Sequence, residues 1–195
     1  MLAKELPDWK GKSRMLEDRL LLWKFKHGSR DAFRAIYEKY AGDMLTLAGN
    51  LLDDKVGAED IVQDVFIKLV ESVGTFNLTG NLKSYLATCV ANRSRDCIRK
   101  RIRQRNAMTK QAEKPPAETN STIHLAICSE QLRKLSDAMT ELPYEQREAI
   151  ALRIHGNLRF RQIAELQNVS TKTVQSRYRY GLNKLRSTLN GEVKK

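Results

Sequence analysis

The sequence predicts an all-α protein of two small helical domains joined by a flexible linker, and three observations carry that expectation. Apolar residues recur at three- and four-residue spacing through most of the chain. No stretch alternates convincingly at period two, so strands are not expected. Residues 106–122 place Pro115-Pro116 among polar residues, which forbids a continuing helix and cannot build a core. The boundaries follow: a lead-in over 1–15, a first domain over 16–105, the linker over 106–122 and a second domain over 123–190.

In the 195-residue chain, 35 Lys and Arg face 23 Asp and Glu, a formal charge of +12 that favours a polyanionic partner. Nucleic acid is the first candidate and an acidic membrane surface the second. No apolar run is long enough to cross a bilayer, and the opening ten residues lack a signal-peptide core, so a cytoplasmic protein without membrane insertion is expected. Cys89, Cys97 and Cys128 are widely spaced and form no C-x-x-C pair, which argues against disulfides and against zinc. Cys89 falls on an apolar stripe and reads as a buried, inert thiol. With no phosphate-cradling glycine loop and no nucleophile motif, neither an enzyme nor a cofactor is expected.

Taken in order, Met1 to Arg14 show no periodicity and read as a loose lead-in. Leu16, Leu20 and Trp23 then mark a short helix that His27-Gly28-Ser29 breaks. From Asp31, the residues Phe33, Ile36, Tyr37, Tyr40, Met44, Leu47, Ala48 and Leu51 keep one stripe for about five turns and predict a core helix. Asp53 or Asp54 can cap the next, which runs from Ala58 to about Ser72 and buries Ile61, Val62, Val65, Phe66, Leu69 and Val70. Its other side carries Glu59, Asp60, Gln63 and Asp64. Carboxylates in a first turn suit the helix dipole, and an acidic face on a basic protein equally suits a basic partner surface.

Asn81 can cap a long helix with Leu82, Leu86, Cys89, Val90 and Ile98 inward. Its later turns fill with Arg93, Arg95, Arg99, Lys100, Arg101, Arg103 and Arg105, opposed only by Asp96. That imbalance predicts phosphate contacts from Arg99, Arg101, Arg103 and Arg105. Beyond the linker come a helix with Leu125, Ile127, Leu132, Leu135 and Met139, the break Leu142-Pro143, and a helix with Ala149, Ile150 and Leu152. A plain turn at His155-Gly156 follows.

The segment from Phe160 to Leu182 reads as a helix-turn-helix. Asn168 supplies a turn residue tolerant of left-handed backbone, and Ser170 a cap for a second helix with Val174, Tyr178, Gly181 and Leu185 inward. No acidic residue lies between Ser170 and Asn190. Thr171, Lys172, Gln175 and Ser176 are the expected base readers, with Arg177, Arg179 and Tyr180 beside them.

These residues in this order resemble the sigma-70 family of bacterial RNA polymerase sigma factors, in the extracytoplasmic-function group. Asp31 to Tyr40 is similar to the family's opening core helix, and Ala58-Glu-Asp-Ile-Val-Gln-Asp-Val-Phe66 to its polymerase-binding signature. Leu82 to Asp96 resembles the promoter-melting helix, and Leu142-Pro-Tyr-Glu-Gln-Arg-Glu148 with the helix-turn-helix resembles the minus-thirty-five-reading domain. The resemblance implies an alternative sigma factor that binds core RNA polymerase through its β′ and β subunits, directs it to promoter DNA and helps open the duplex. It implies that Asp60, Gln63 and Asp64 meet the β′ coiled coil. Lys83, Tyr85, Asn92, Arg93 and Arg95 would hold the non-template strand, and the loop with Phe76, Asn77 and Asn81 would receive an unstacked minus-ten base. Members of the group often have an anti-sigma protein as a further partner. Tyr85 departs from the Trp of many relatives. The competing reading is a stand-alone helix-turn-helix regulator whose N-terminal half serves as an effector or dimerisation domain.

Overall fold

The computed structural model describes residues 9–52, 55–74, 78, 81–108 and 130–192. Among them are eight helices and no strand: α1 Trp9–Lys26, α2 Arg30–Leu52, α3 Lys55–Ser72, α4 Leu82–Met108, α5 Glu130–Thr140, α6 Tyr144–Ile154, α7 Phe160–Gln167 and α8 Thr171–Glu192. The all-helical expectation holds. Leu125, Ile127, Cys128, the candidate caps Asp53 and Asp54, and most of the linker lie outside the described residues.

The centre of the molecule is α2, whose buried Ile36, Tyr40, Met44, Leu47 and Leu51 repeat at three- and four-residue steps. Helices α1, α3 and α4 pack around it, and so does α6 of the second half. Tyr37, expected on the buried stripe, is 40% exposed. It lies at the edge of the stripe and sets its ring edge-on to Phe66, with centroids 4.8 Å apart. The side chain of Ser29 caps α2 through the Ala32 amide at 3.2 Å, and Gly28, at φ +86°, makes the break before it.

Two expectations for the N-terminal end are corrected. Helix α1 already begins at Trp9, so residues 9–14 of the expected lead-in are helical. That turn is rich in Lys and Arg, good helix formers with no apolar period to announce them. Moreover, Leu16, Leu20 and Trp23 do not face the core: they are 67%, 52% and 57% exposed, whereas Leu22, Phe25 and Asp18 are buried. Asp18 is tolerated there because the Tyr40 hydroxyl donates to it at 2.6 Å and Lys39 pairs with it at 2.9 Å.

Helix α3 starts three residues before the predicted Ala58 and buries Ile61, Val62, Val65, Phe66 and Leu69, while Val70 lies at the surface. The amide of Lys83 donates to Asn81 Oδ1 at 2.8 Å, the expected cap of α4. In the second half, Ala138, Met139 and Leu142 form a core patch with Ile150 and Leu185, and Leu135 is 40% exposed rather than inward.

The helix-turn-helix forms as read. Asn168 adopts φ 52° and ψ 48°, the left-handed conformation, and Ser170 Oγ accepts the Thr173 amide at 3.1 Å. Val174, Gly181 and Leu185 are buried beneath α8 and Tyr178 is half-buried. At Gly181 a Cβ would come within 2.7 Å of Ile150 Cδ1 and 3.3 Å of Gln146 Cβ, so α8 crosses α6 at glycine range.

What the sequence did not suggest is that the two halves share one core. Ala149, Ala151, Leu152, Leu158, Ile163 and Val174 belong to the same buried cluster as the residues of α2, α3 and α4. His155-Gly156, expected as a plain turn, is the point of docking. A Cβ on Gly156 would approach Ala87 Cβ of α4 to 2.8 Å and the Leu152 carbonyl to 2.7 Å, so only glycine lets the turn sit so low on α4.

Candidate nucleic-acid interface

Three surfaces collect the candidate residues. The first is the outer face of α3, where Asp60, Gln63 and Asp64 are exposed at i, i+3 and i+4. Burial of Ile61, Val62, Val65 and Phe66 on the opposite side turns them outward. Val56 and Ile67, 69% and 54% exposed, extend the same face at helical spacing. Sequence reading missed both, although they fall four residues before Asp60 and four after Gln63.

The second surface is the groove between α3 and α4, where Lys68, Tyr85, Cys89, Asn92, Arg93 and Asp96 come together. Burial and the neighbouring Cys89 push the Tyr85 hydroxyl up to about 12, so the ring stays a neutral platform. Cys89 is half-buried rather than enclosed, and burial raises its pKa, which keeps it a thiol. Arg93 reaches back across the groove to Asp64 Oδ2 at 2.5 Å, joining a residue of the first surface to one of the second. Lys83 pairs with Asp43 of α2 at 2.6 Å. Phe76 and Asn77 lie outside the described residues. Farther along α4, Arg99, Arg101, Arg103 and Arg105 are all exposed, in keeping with a phosphate-facing tail.

On the third surface, α8 presents Thr171, Lys172, Gln175, Arg179 and Tyr180 to solvent, and the Arg179 guanidinium sits 5.3 Å from the Tyr180 ring centroid. Ser176 is half-buried, and so is Arg177, whose guanidinium donates to Gln167 Oε1 at 2.7 Å.

Arg95 is the candidate that the structure places elsewhere. Its Nη2 lies 2.8 Å from Glu148 Oε1, and its Nη1 donates to the Leu166 carbonyl at 2.6 Å. Both partners belong to the second half. Burial works against the charge, but the Glu148 carboxylate outweighs it and raises the guanidinium pKa. Glu148 is itself buried, accepting from the Tyr144 hydroxyl at 3.2 Å and from Gln167 Nε2 at 2.9 Å.

At the same junction, burial holds the His155 imidazole below its ordinary value, with Asp43 raising it and Lys83 lowering it to a lesser degree. A pKa depressed in the folded state means that folding favours the neutral ring. The stabilisation is present above the unfolded value of about 6.5 and is lost as pH falls through the folded one. The chain should therefore unfold at a lower temperature at about pH 5 than at about pH 7.5, and His155→Gln should flatten that dependence in thermal melts.

An acidic outer face on α3, a groove beside it and a helix-turn-helix stand together in a chain that comparisons relate to known proteins. The Sigma-70 region 2 family model matches residues 36–104, and the Sigma-70 region 4 model matches residues 132–185. The chain is an extracytoplasmic-function sigma factor of the sigma-70 family. It is 25% identical over 175 residues to the RNA polymerase sigma factor CarQ of Myxococcus xanthus, covering 87% of this chain and 95% of that one. To the ECF RNA polymerase sigma factor SigX of Bacillus subtilis it is 26% identical over 160 residues, covering 80% and 82%. The fold resembles the sigma factor RpoE from Bartonella quintana, solved with the anti-sigma factor NepR, at a TM-score of 0.63 and 24% identity over 83% of this chain and 98% of that one. As a sigma factor the chain acts in transcription initiation with core RNA polymerase and promoter DNA. Among its described residues, no helix is long and apolar enough to cross a membrane.

Proposed function

We propose that the sigma factor divides its work among these three surfaces. Asp60, Gln63 and Asp64, with Val56 and Ile67 around them, dock on the polymerase β′ subunit. The groove residues Tyr85, Asn92 and Arg93, with Lys83 and the loop ending at Asn81, hold the opened minus-ten strand. The N-terminal turns of α8 read the minus-thirty-five element. The chain acts in the cytoplasm and performs no catalysis of its own. Its likeness to a sigma factor solved with an anti-sigma protein supports a regulator of that kind here.

The observation that carries this reading is the exposed, uniformly basic and polar face over Thr171, Lys172, Gln175 and Arg179, presented by a helix whose other side is locked in the core. The test is reconstitution with core polymerase and mapping of promoter-specific transcripts. Gln175→Ala should change which upstream sequences are used, at a cost of roughly 1–3 kcal/mol on the preferred one. Replacing Arg103 by Ala should instead weaken binding to all sequences and reduce its salt dependence. Equal losses on every promoter for Gln175→Ala would remove it from the readers.

A further inference from the structure

Helix α1 is apolar on two faces. Leu22 and Phe25 are buried toward α2, whereas Leu16, Leu20 and Trp23, at i, i+4 and i+7, form a ridge on the opposite side and are 67%, 52% and 57% exposed. A helix with one apolar stripe needs one covering surface, and a second stripe calls for another. The ridge is edged with cations: Arg19 and Lys26 run along one side of it and Lys24 along the other, all three exposed. We propose that this face is a membrane-surface site, in which the ridge enters the headgroup layer of an anionic phospholipid bilayer and the cations meet the lipid phosphates.

Single exposed leucines are ordinary, but three large apolar residues in one register on a highly charged chain mark an interaction site. Both acidic residues of the helix are answered within the chain: Asp18 is buried on Tyr40 and Lys39, and Glu17 pairs with Lys39 at 2.7 Å. Against those two the helix holds six lysines and arginines, so its charge is positive and its partner anionic. Trp23 has the make-up of an interfacial anchor, an apolar ring with a polar edge. Its ring lies 4.3 Å from that of His27, whose Nδ1 donates to the Trp23 carbonyl at 2.7 Å, and this pair holds the indole at one end of the ridge. Among anionic partners a bilayer fits the shape best. The face is a convex ridge with cations on both flanks, so a protein groove would need acidic residues along both walls, whereas a plane of anionic headgroups meets both flanks with no shape of its own. A nucleic acid offers phosphates but no apolar layer to cover Leu16 and Leu20. Binding is weak and reversible, because one short helix face without an acyl chain gives only marginal anchoring. The membrane is then a reservoir for the chain.

The test is flotation of the full chain with phosphatidylcholine vesicles, with and without phosphatidylglycerol. Trp9→Phe leaves Trp23 as the single tryptophan, a reporter inside the proposed site. Binding should require phosphatidylglycerol, move the Trp23 emission to the blue and make it quenchable by brominated lipid chains. Leu16→Gln with Leu20→Gln should lower vesicle affinity at least about ten-fold. Arg19→Gln with Lys26→Gln should lower it several-fold, an effect that high salt removes. All four positions are exposed, so circular dichroism and thermal melts should stay as they are in the unaltered chain. Vesicle binding that survives the loss of both leucines, or that leaves Trp23 emission and quenching unchanged, would mean that another basic surface adsorbs the chain, and would overturn the proposal. So would equal binding to vesicles without phosphatidylglycerol, or no binding to either kind. If the leucine double variant then also lost capture by core polymerase, the face would belong to a protein partner.

Discussion

Asp60→Lys should leave the sigma factor folded and remove its capture by core polymerase. Asp60 sits on the solvent side of α3, opposite the buried Ile61, Val62 and Val65, so its reversal touches no core contact. Exposed charges contribute under about 1 kcal/mol to stability, whereas a like charge set into a docked interface costs several. A loss of several kcal/mol is a hundred-fold or more in affinity. Pull-down with core polymerase and run-off transcription should both fail, while circular dichroism and upstream-element binding by the second half remain. Asp64→Lys should add a second effect, since Asp64 also holds Arg93. Polymerase capture at the unmutated level by a folded Asp60→Lys chain would remove α3 from the docking surface.

The second large effect is on stability and separates two leucines of one helix. Leu22 is 5% exposed against α2, and Leu20 is 52% exposed. Leu22→Ala deletes buried methyl groups and leaves a cavity, at a cost of about 2–5 kcal/mol. Set against a total of about 5–15 kcal/mol for a typical domain, that lowers the midpoint of denaturant unfolding markedly. Leu20→Ala should change it by about 0.5 kcal/mol or less. Similar losses for the two would mean that α1 is rotated about its axis relative to the arrangement described here.

That pair shows where sequence reading reaches its limit. Leu20, Leu21, Leu22 and Trp23 are four consecutive apolar residues, so several helical faces fit and periodicity alone cannot choose among them. The buried Asp18 made the true face look polar. The helix-turn-helix was legible because its determinants are local: Asn168 and Ser170 settle the turn and cap by chemistry within a few residues. The outward face of α3 was legible for the same reason, four apolar residues fixing which side must turn outward. Arg95 was not. It lies in an arginine-rich helix, and the partner that draws it away from solvent, Glu148, comes from the other half of the chain. Gly156 is a similar case, its requirement being set by Ala87 on α4. Contacts between distant segments leave no periodic trace in either one.

Under the proposed division of surfaces, the bridge from Arg93 to Asp64 gives protein binding and strand binding a common charge. If, as proposed, a basic polymerase side chain takes Asp64, the Arg93 guanidinium is released beside the groove, where a phosphate can accept it. Reciprocity follows from linkage: whatever polymerase adds to strand affinity through this exchange, the strand adds to polymerase affinity. Both side chains are substantially exposed, at 39% and 50%, so the bridge is worth less than about 1 kcal/mol and the mutual gain no more than about five-fold. An increment of that size biases the order of assembly while leaving each step reversible, as suits a subunit that must let go of the promoter after each start.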